Sequence, residues 1–199
     1  MRVQHDLELL SRPNRLGPAL QTQAGDPVLS WWPQAARAAL TVGFGSAALL
    51  APSLTVRSLA FAFGAYALAD GVLAITAASL APRGRDRWGL LFVEGVTDLA
   101  AGGLALLLSS LRLVELVVLM AVWAVVSGAA LGAAGLLLAV RPGRNLVALS
   151  GLASLLWGLA ILLSPVEDVV ALVAWLAVYA LVLGVLLMVL TAQLSLARS

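Results

Sequence analysis

Apolar residues run almost unbroken through six stretches of this chain, and the polar positions gather between them. The runs extend from about Trp31 to Ala51, Ser58 to Leu80, Trp88 to Leu108, Leu113 to Val140, Leu146 to Leu163 and Val169 to Leu190. A helix needs roughly 20 apolar residues to cross the hydrocarbon core of a bilayer, so each run is a candidate span. A transmembrane barrel would instead show alternating segments of about ten residues, and the continuous runs exclude it. The pattern predicts an all-α fold, a six-span transmembrane helical bundle.

Composition supports this. The chain is 62% hydrophobic and 11% charged, whereas a soluble domain is nearer half apolar and a quarter charged. Folded as a soluble bundle, six such blocks would leave almost no polar surface.

The net charge of +2 matters less than where the charges fall. Every basic residue is arginine. Arg2, Arg12, Arg15, Arg83, Arg85, Arg87, Arg141, Arg144 and Arg198 all fall on one side of the predicted spans, against Arg57 and Arg112 on the other. The positive-inside rule then puts both termini in the cytoplasm, with Trp31, Trp32 and Trp88 at the headgroup level of that side. The basic clusters read as topology signals and not as a nucleic-acid site, because no stacking motif or basic face accompanies them.

Residues 1–30 form an expected flexible cytoplasmic tail, rich in Pro and Gly and without a signal-peptide core. Hairpin repeats are expected at 31–80, 88–140 and 145–191, with a cytoplasmic C-terminus at 192–199. The absence of cysteine excludes disulfides and thiolate metal sites. His5 stands alone in the tail. No catalytic group, metal site or cofactor is expected.

An internal repeat organises the six runs. Tyr66, Trp123 and Tyr179 are separated by 57 and 56 residues, and Gly71, Gly128 and Gly184 keep that spacing. So do Gly45, Gly102 and Gly158, and so do Pro52, Ser109 and Pro165. Four coincident series point to a repeat of two helices. An even number of spans per repeat preserves orientation, so the expectation is three parallel two-helix hairpin repeats around a quasi-threefold axis along the membrane normal.

Small residues recur every four positions at Ala35, Ala39, Gly43, Ala47 and Ala51, and again at Ala124, Gly128 and Gly132. Such stripes let helix backbones approach closely in lipid, either within the chain or in a homo-oligomer, and packing within the chain is the simpler expectation. In the third outer connection, Ser164, Pro165 and Glu167 fit an N-cap, a first-turn proline and a capping-box acid. Glu167 and Asp168 read as structural residues facing a helix N-terminus. The expected partner is the lipid bilayer. The sequence identifies no protein partner.

Four charged residues lie inside the spans: Arg37, Asp70, Glu94 and Asp98. Each costs roughly 2.5 to 3.5 kcal/mol near a helix centre, so they are expected to face the protein interior and pair. Arg37 and Glu94 lie about 9 Å from their tryptophan ends, and Asp70 and Asp98 about 15 Å in, at 1.5 Å per residue. Depth therefore matches Arg37 with Glu94 as an ion pair between the first two hairpins, and Asp70 with Asp98 as a like-charged pair. One arginine does not balance three carboxylates. Burial and mutual repulsion of the two aspartates then favour holding a proton over carrying two charges. A cluster that only locks helices together is the plainer alternative.

The chain carries GAYALADG at 64–71, the early arginine Arg37, VEG at Val93 to Gly95, and the later copies WAVVSG and YALVLG. On these motifs residues 31 to 192 resemble the HdeD family of bacterial inner-membrane proteins. Arg37, Asp70 and Glu94 match that family's polar positions, whereas Asp98 lies outside the pattern and SSLR at 109–112 departs from its proline turn. The resemblance implies a multi-pass inner-membrane protein of acid-stress resistance. The expected function is non-enzymatic, with a proton-responsive buried cluster of Arg37, Asp70, Glu94 and Asp98. A small-solute or proton transporter or channel is the alternative.

Overall fold

The computed structural model describes residues 31–51, 54–80, 86–108, 112–137, 143–163, 166 and 168–196. These residues form six α-helices: α1 (Trp31–Leu50), α2 (Val56–Leu80), α3 (Asp86–Leu107), α4 (Leu113–Leu137), α5 (Arg144–Leu163) and α6 (Val169–Leu196). The tail at 1–30, the basic residues Arg83, Arg85, Arg141 and Arg198, and the turn residues Pro52, Ser109, Ser164, Pro165 and Glu167 lie outside the described residues.

Five of the helices are long and apolar enough to cross a membrane: Val56–Leu80, Gly89–Leu107, Leu113–Leu136, Arg144–Leu163 and Val169–Gln193. The sixth expected span, α1, falls short because it carries Gln34, Arg37 and Thr41. All three occupy one face at helical spacing, and all are turned inward, with exposures of 4%, 5% and 0%. The polarity that lowers the hydropathy of α1 is thus internal polarity.

The exterior is the apolar side. Val72, Val96, Val118, Leu136, Leu156, Val178 and Val185 are exposed, whereas the four intramembrane charges are buried. A soluble helix shows the opposite pattern, with its apolar stripe turned to the core.

Helix ends follow local chemistry. Thr55 and Ser58 make a reciprocal capping box at the start of α2: Ser58 N–H donates to Thr55 Oγ1 at 3.2 Å, and Thr55 N–H donates to Ser58 Oγ at 2.8 Å. Before α4, Arg112 N–H donates to Glu115 Oε2 at 3.0 Å. Before α6, Ala171 N–H donates to Asp168 Oδ1 at 2.6 Å. Asp168 is therefore the cap of α6, four residues beyond the Ser164 that the sequence pattern suggested. Its side chain satisfies one of the amides that the first helical turn leaves open.

Consecutive helices pack together and α6 packs against α1, so the six close into a ring in chain order, with a slight further contact between α2 and α4. The packing alternates. It is most extensive for α2 with α3, α4 with α5, and α6 with α1, and slighter for α1 with α2, α3 with α4, and α5 with α6. The tight pairs therefore join helices of different expected hairpins, and the two helices within each expected hairpin pack less.

Glycine makes these approaches possible. A methyl group on Gly71 would stand 2.9 Å from the Gly95 carbonyl oxygen, and one on Gly128 would stand 2.7 Å from that of Gly151. The small-residue stripes divide between two uses. Ala124 is buried, and Gly128 lies in the α4–α5 contact, where Gly132 also meets Gly151. The α1 stripe is not packed inside the chain as expected: Ala39, Gly43 and Ala47 are exposed, and a methyl group on Gly43 would touch nothing within 4 Å. The inward face of α1 is set by Arg37 and Thr41, and the alanine stripe lies on the other side.

Candidate functional site: a buried arginine with three carboxylates

The four charged residues predicted to lie inside the bundle converge in its interior. Arg37 reaches from α1 between α2 and α3. Its Nε donates to Asp70 Oδ1 at 2.8 Å, and its Nη2 donates to Asp70 Oδ2 and to Glu94 Oε1, both at 2.6 Å. Asp70 therefore holds the arginine through two parallel bonds and Glu94 through a third, all buried. Paired charge-assisted bonds of this kind are the strongest that an arginine makes with a carboxylate.

Depth alone matched Arg37 with Glu94 and left Asp70 for Asp98. In the structure Arg37 binds Asp70 as well. The depth difference of about four residues is about 6 Å of helix rise, and the extended arginine side chain spans it.

Asp98 sits beside this group without a bond to Arg37. Its Oδ1 accepts the indole N–H of Trp123 at 2.6 Å and the hydroxyl of Ser127 at 3.1 Å. Its Oδ2 has no partner, although the residue is 1% exposed. Oxygen atoms of Asp70, Glu94 and Asp98 all lie within 4.8 Å of one another, near enough to share one cation. The position between Asp70 and Glu94 is taken by the guanidinium, which makes Arg37 the cation of this site.

Aromatic residues frame the cluster. The Tyr66 and Trp123 rings meet edge to face at 6.3 Å, and the Trp123 and Tyr179 rings at 6.2 Å. Each ring's polar atom bonds a residue 25 positions earlier on the preceding helix: Tyr66 with Thr41 at 3.2 Å, Trp123 with Asp98, and Tyr179 with Ser154 at 2.9 Å. Thr41 already donates its proton to the Arg37 carbonyl at 2.8 Å, so Tyr66 is the donor to Thr41. Phe44 stacks on Tyr66 and Trp157 on Tyr179, with centroids 4.5 and 4.4 Å apart.

Several of these residues have parts that the sequence reading underrated. Trp123, Ser127 and Ser154 lie outside the four charged positions that the sequence pattern singles out. The structure gives Trp123 and Ser127 to Asp98, and Ser154 to Tyr179. The signal was present: the pairs 41 and 66, 98 and 123, and 154 and 179 share one separation, and the aromatic series had already been aligned.

A cavity of about 20 Å³ opens at the centre, lined by all four charged residues with Tyr66, Trp123, Ser127, Ser154 and Tyr179 among others. Arg37 is its one basic lining residue among those described.

Fold and site together define a multi-pass helical membrane protein with a charged interior. Residues 36–107 match the family model described as a short repeat of unknown function (DUF308), the family to which HdeD belongs. The matched segment contains Arg37, Asp70, Glu94 and Asp98. Comparison with curated proteins and with solved structures found no match.

Proposed function

We propose that this chain is a non-enzymatic integral membrane protein of the HdeD type that serves acid tolerance by exchanging a proton at its buried cluster. In this reading it lies in a bacterial inner membrane, with all six helices spanning and both termini cytoplasmic. The helices form three parallel two-helix repeats about a quasi-threefold axis. The positive-inside distribution of arginine supports the orientation. The recurrent 25-residue bonds and the close glycine contacts at matching positions support the repeat.

The observation that carries the proton reading is the charge balance of the interior: three carboxylates around one guanidinium, lining a cavity of about 20 Å³. Excess negative charge in such a place is relieved by a proton. The groups facing Asp98 are Arg37 from α1, Tyr66 and Asp70 from α2, Glu94 from its own helix and Tyr179 from α6; α4 and α5 offer only the neutral Trp123, Ser127 and Ser154.

Transport is the second reading. The cavity supports it for protons only, since about 20 Å³ leaves no room for a solute.

Reconstitution into liposomes with a trapped pH dye tests both. Wild type is expected to change proton flux after an external acid jump, and Asp70→Asn to diminish that change while retaining a helical circular-dichroism spectrum. Equal, background-level flux from the two proteins would overturn the proposal.

A further inference from the structure

Three buried polar atoms among the described residues lack a hydrogen-bond partner: Gln34 Oε1, Asp98 Oδ2 and Ser150 Oγ. Their residues are 4%, 1% and 0% exposed. Leaving such atoms dry is costly, and native interiors satisfy them with protein or ordered water.

The three atoms are not scattered. Asp98 lines the central cavity, and Gln34 and Ser150 line a second cavity, also of about 20 Å³. The two cavities share Arg37, Leu131 and Leu187, so the arginine stands at their common boundary. A water needs a volume of about 10–15 Å³ on this measure and two to four polar partners. The central cavity offers Asp98 Oδ2 with the Tyr66, Ser154 and Tyr179 hydroxyls. The second offers Gln34 Oε1, Ser150 Oγ and the Arg37 guanidinium.

We infer that the two cavities are hydration sites on either side of Arg37, and that through them Asp98 exchanges its proton with the end of the bundle where Gln34 lies. This inference rests on the proton reading above and assigns its residue and route. Asp70 and Glu94 both accept charge-assisted bonds from Arg37, which hold them in their acceptor role. Asp98 receives only neutral donors, both on Oδ1, and turns its other oxygen to the water. The water of the first cavity gives a proton to Asp98 Oδ2 as it takes one from the water of the second, which is resupplied from the end of the bundle. Each O–H bond formed matches one broken, no cation rests beside the guanidinium, and no co-reactant is needed.

Infrared difference spectroscopy of the full chain in lipid nanodiscs tests the assignment. Wild type is expected to show a carboxylic-acid carbonyl band that grows as pH falls and shifts in D2O. Asp98→Asn keeps an oxygen to accept from Trp123 and is expected to lose the band. If Asp98→Asn melts well below wild type, Asp98→Glu gives the same information, because a band carried by residue 98 must move. A band unaltered in either variant overturns the assignment.

The Gln34→Leu, Ser150→Ala double variant leaves Asp98 intact and removes two polar partners of the outer water. It is expected to keep the band and to slow its exchange in D2O by about tenfold or more as that cavity dries. An unchanged exchange rate overturns the route. Absence of a pH-dependent band from a buried carboxyl in wild type overturns this inference together with the proton reading, whereas a wild-type band that survives substitution of residue 98 overturns the inference alone.

Discussion

Asp98 and Trp123 are joined at 2.6 Å, carboxylate to indole N–H, in the register where Thr41 meets Tyr66 and Ser154 meets Tyr179 through hydroxyl groups. Three helix pairs thus make the same cross-link, but one makes it with a potential charge. The middle link is the one that touches the cavity's unpartnered oxygen.

Trp123→Phe is expected to cost more than Tyr179→Phe. The indole N–H serves a buried carboxylate, and a lost bond to a charged group is worth about 1.5–3 kcal/mol against about 1 for a neutral one. Phe preserves much of the edge contact with Phe63, now at 5.1 Å. Unfolding titrations of the two variants in mixed micelles check the ranking, and equal losses would contradict it.

Arg37→Met leaves three buried carboxylates with no guanidinium, and a loss of about 3–5 kcal/mol is expected, as for removal of one partner of a buried pair. Adding Asp70→Asn to that variant is expected to recover part of the loss, because one of the uncompensated charges disappears. Arg37→Lys is expected to fall between, since an ammonium lacks the planar fork that engages Asp70 at two atoms. Thermal melting of the double-mutant set measures the coupling.

Gly128→Ala and Gly43→Ala are opposite cases of one substitution. A methyl group at 128 would lie 2.6 Å from the backbone nitrogen of Leu155, so α4 and α5 must separate. A methyl group at 43 meets nothing, and removing a mid-helix glycine favours the helix by about 1 kcal/mol. The first is expected to lower the melting temperature and the second to hold or raise it. A loss at Gly43 equal to that at Gly128 would show that the α1 stripe is packed after all.

Asp168→Ala removes the acceptor for Ala171 N–H at the start of α6. A loss of about 1 kcal/mol is expected, as for other N-caps, with little effect on any proton-linked signal because the residue is exposed and far along the chain from the cluster. Asp168→Asn, which retains a capping oxygen, is expected to restore most of it.

Helix positions were largely legible because their cause is local. Apolar run length set where α2 to α6 lie, and the observed ends fall within a few residues of the runs, except that α6 continues past Leu190 to Leu196, into the stretch expected as a separate C-terminus. Two features escaped. The arginine's choice of Asp70 could not be obtained from depth, since a long side chain reaches across several residues of rise. The outward turn of Ala39, Gly43 and Ala47 could not be obtained from the stripe, since small residues permit close contact without requiring it.

The sequence by itself determined that the chain is helical and apolar outside, and that four ionisable residues share a narrow depth. Those properties follow from run length, period and register, each readable along one dimension. Only the tertiary structure decided the partners. Rotation of six helices about their own axes placed the tight contacts at α2–α3, α4–α5 and α6–α1, set Asp70 and Glu94 on Arg37, and left Asp98 with a tryptophan, a serine and an oxygen facing the cavity. Those partners come from four different helices, α1 to α4, so no single segment encodes them.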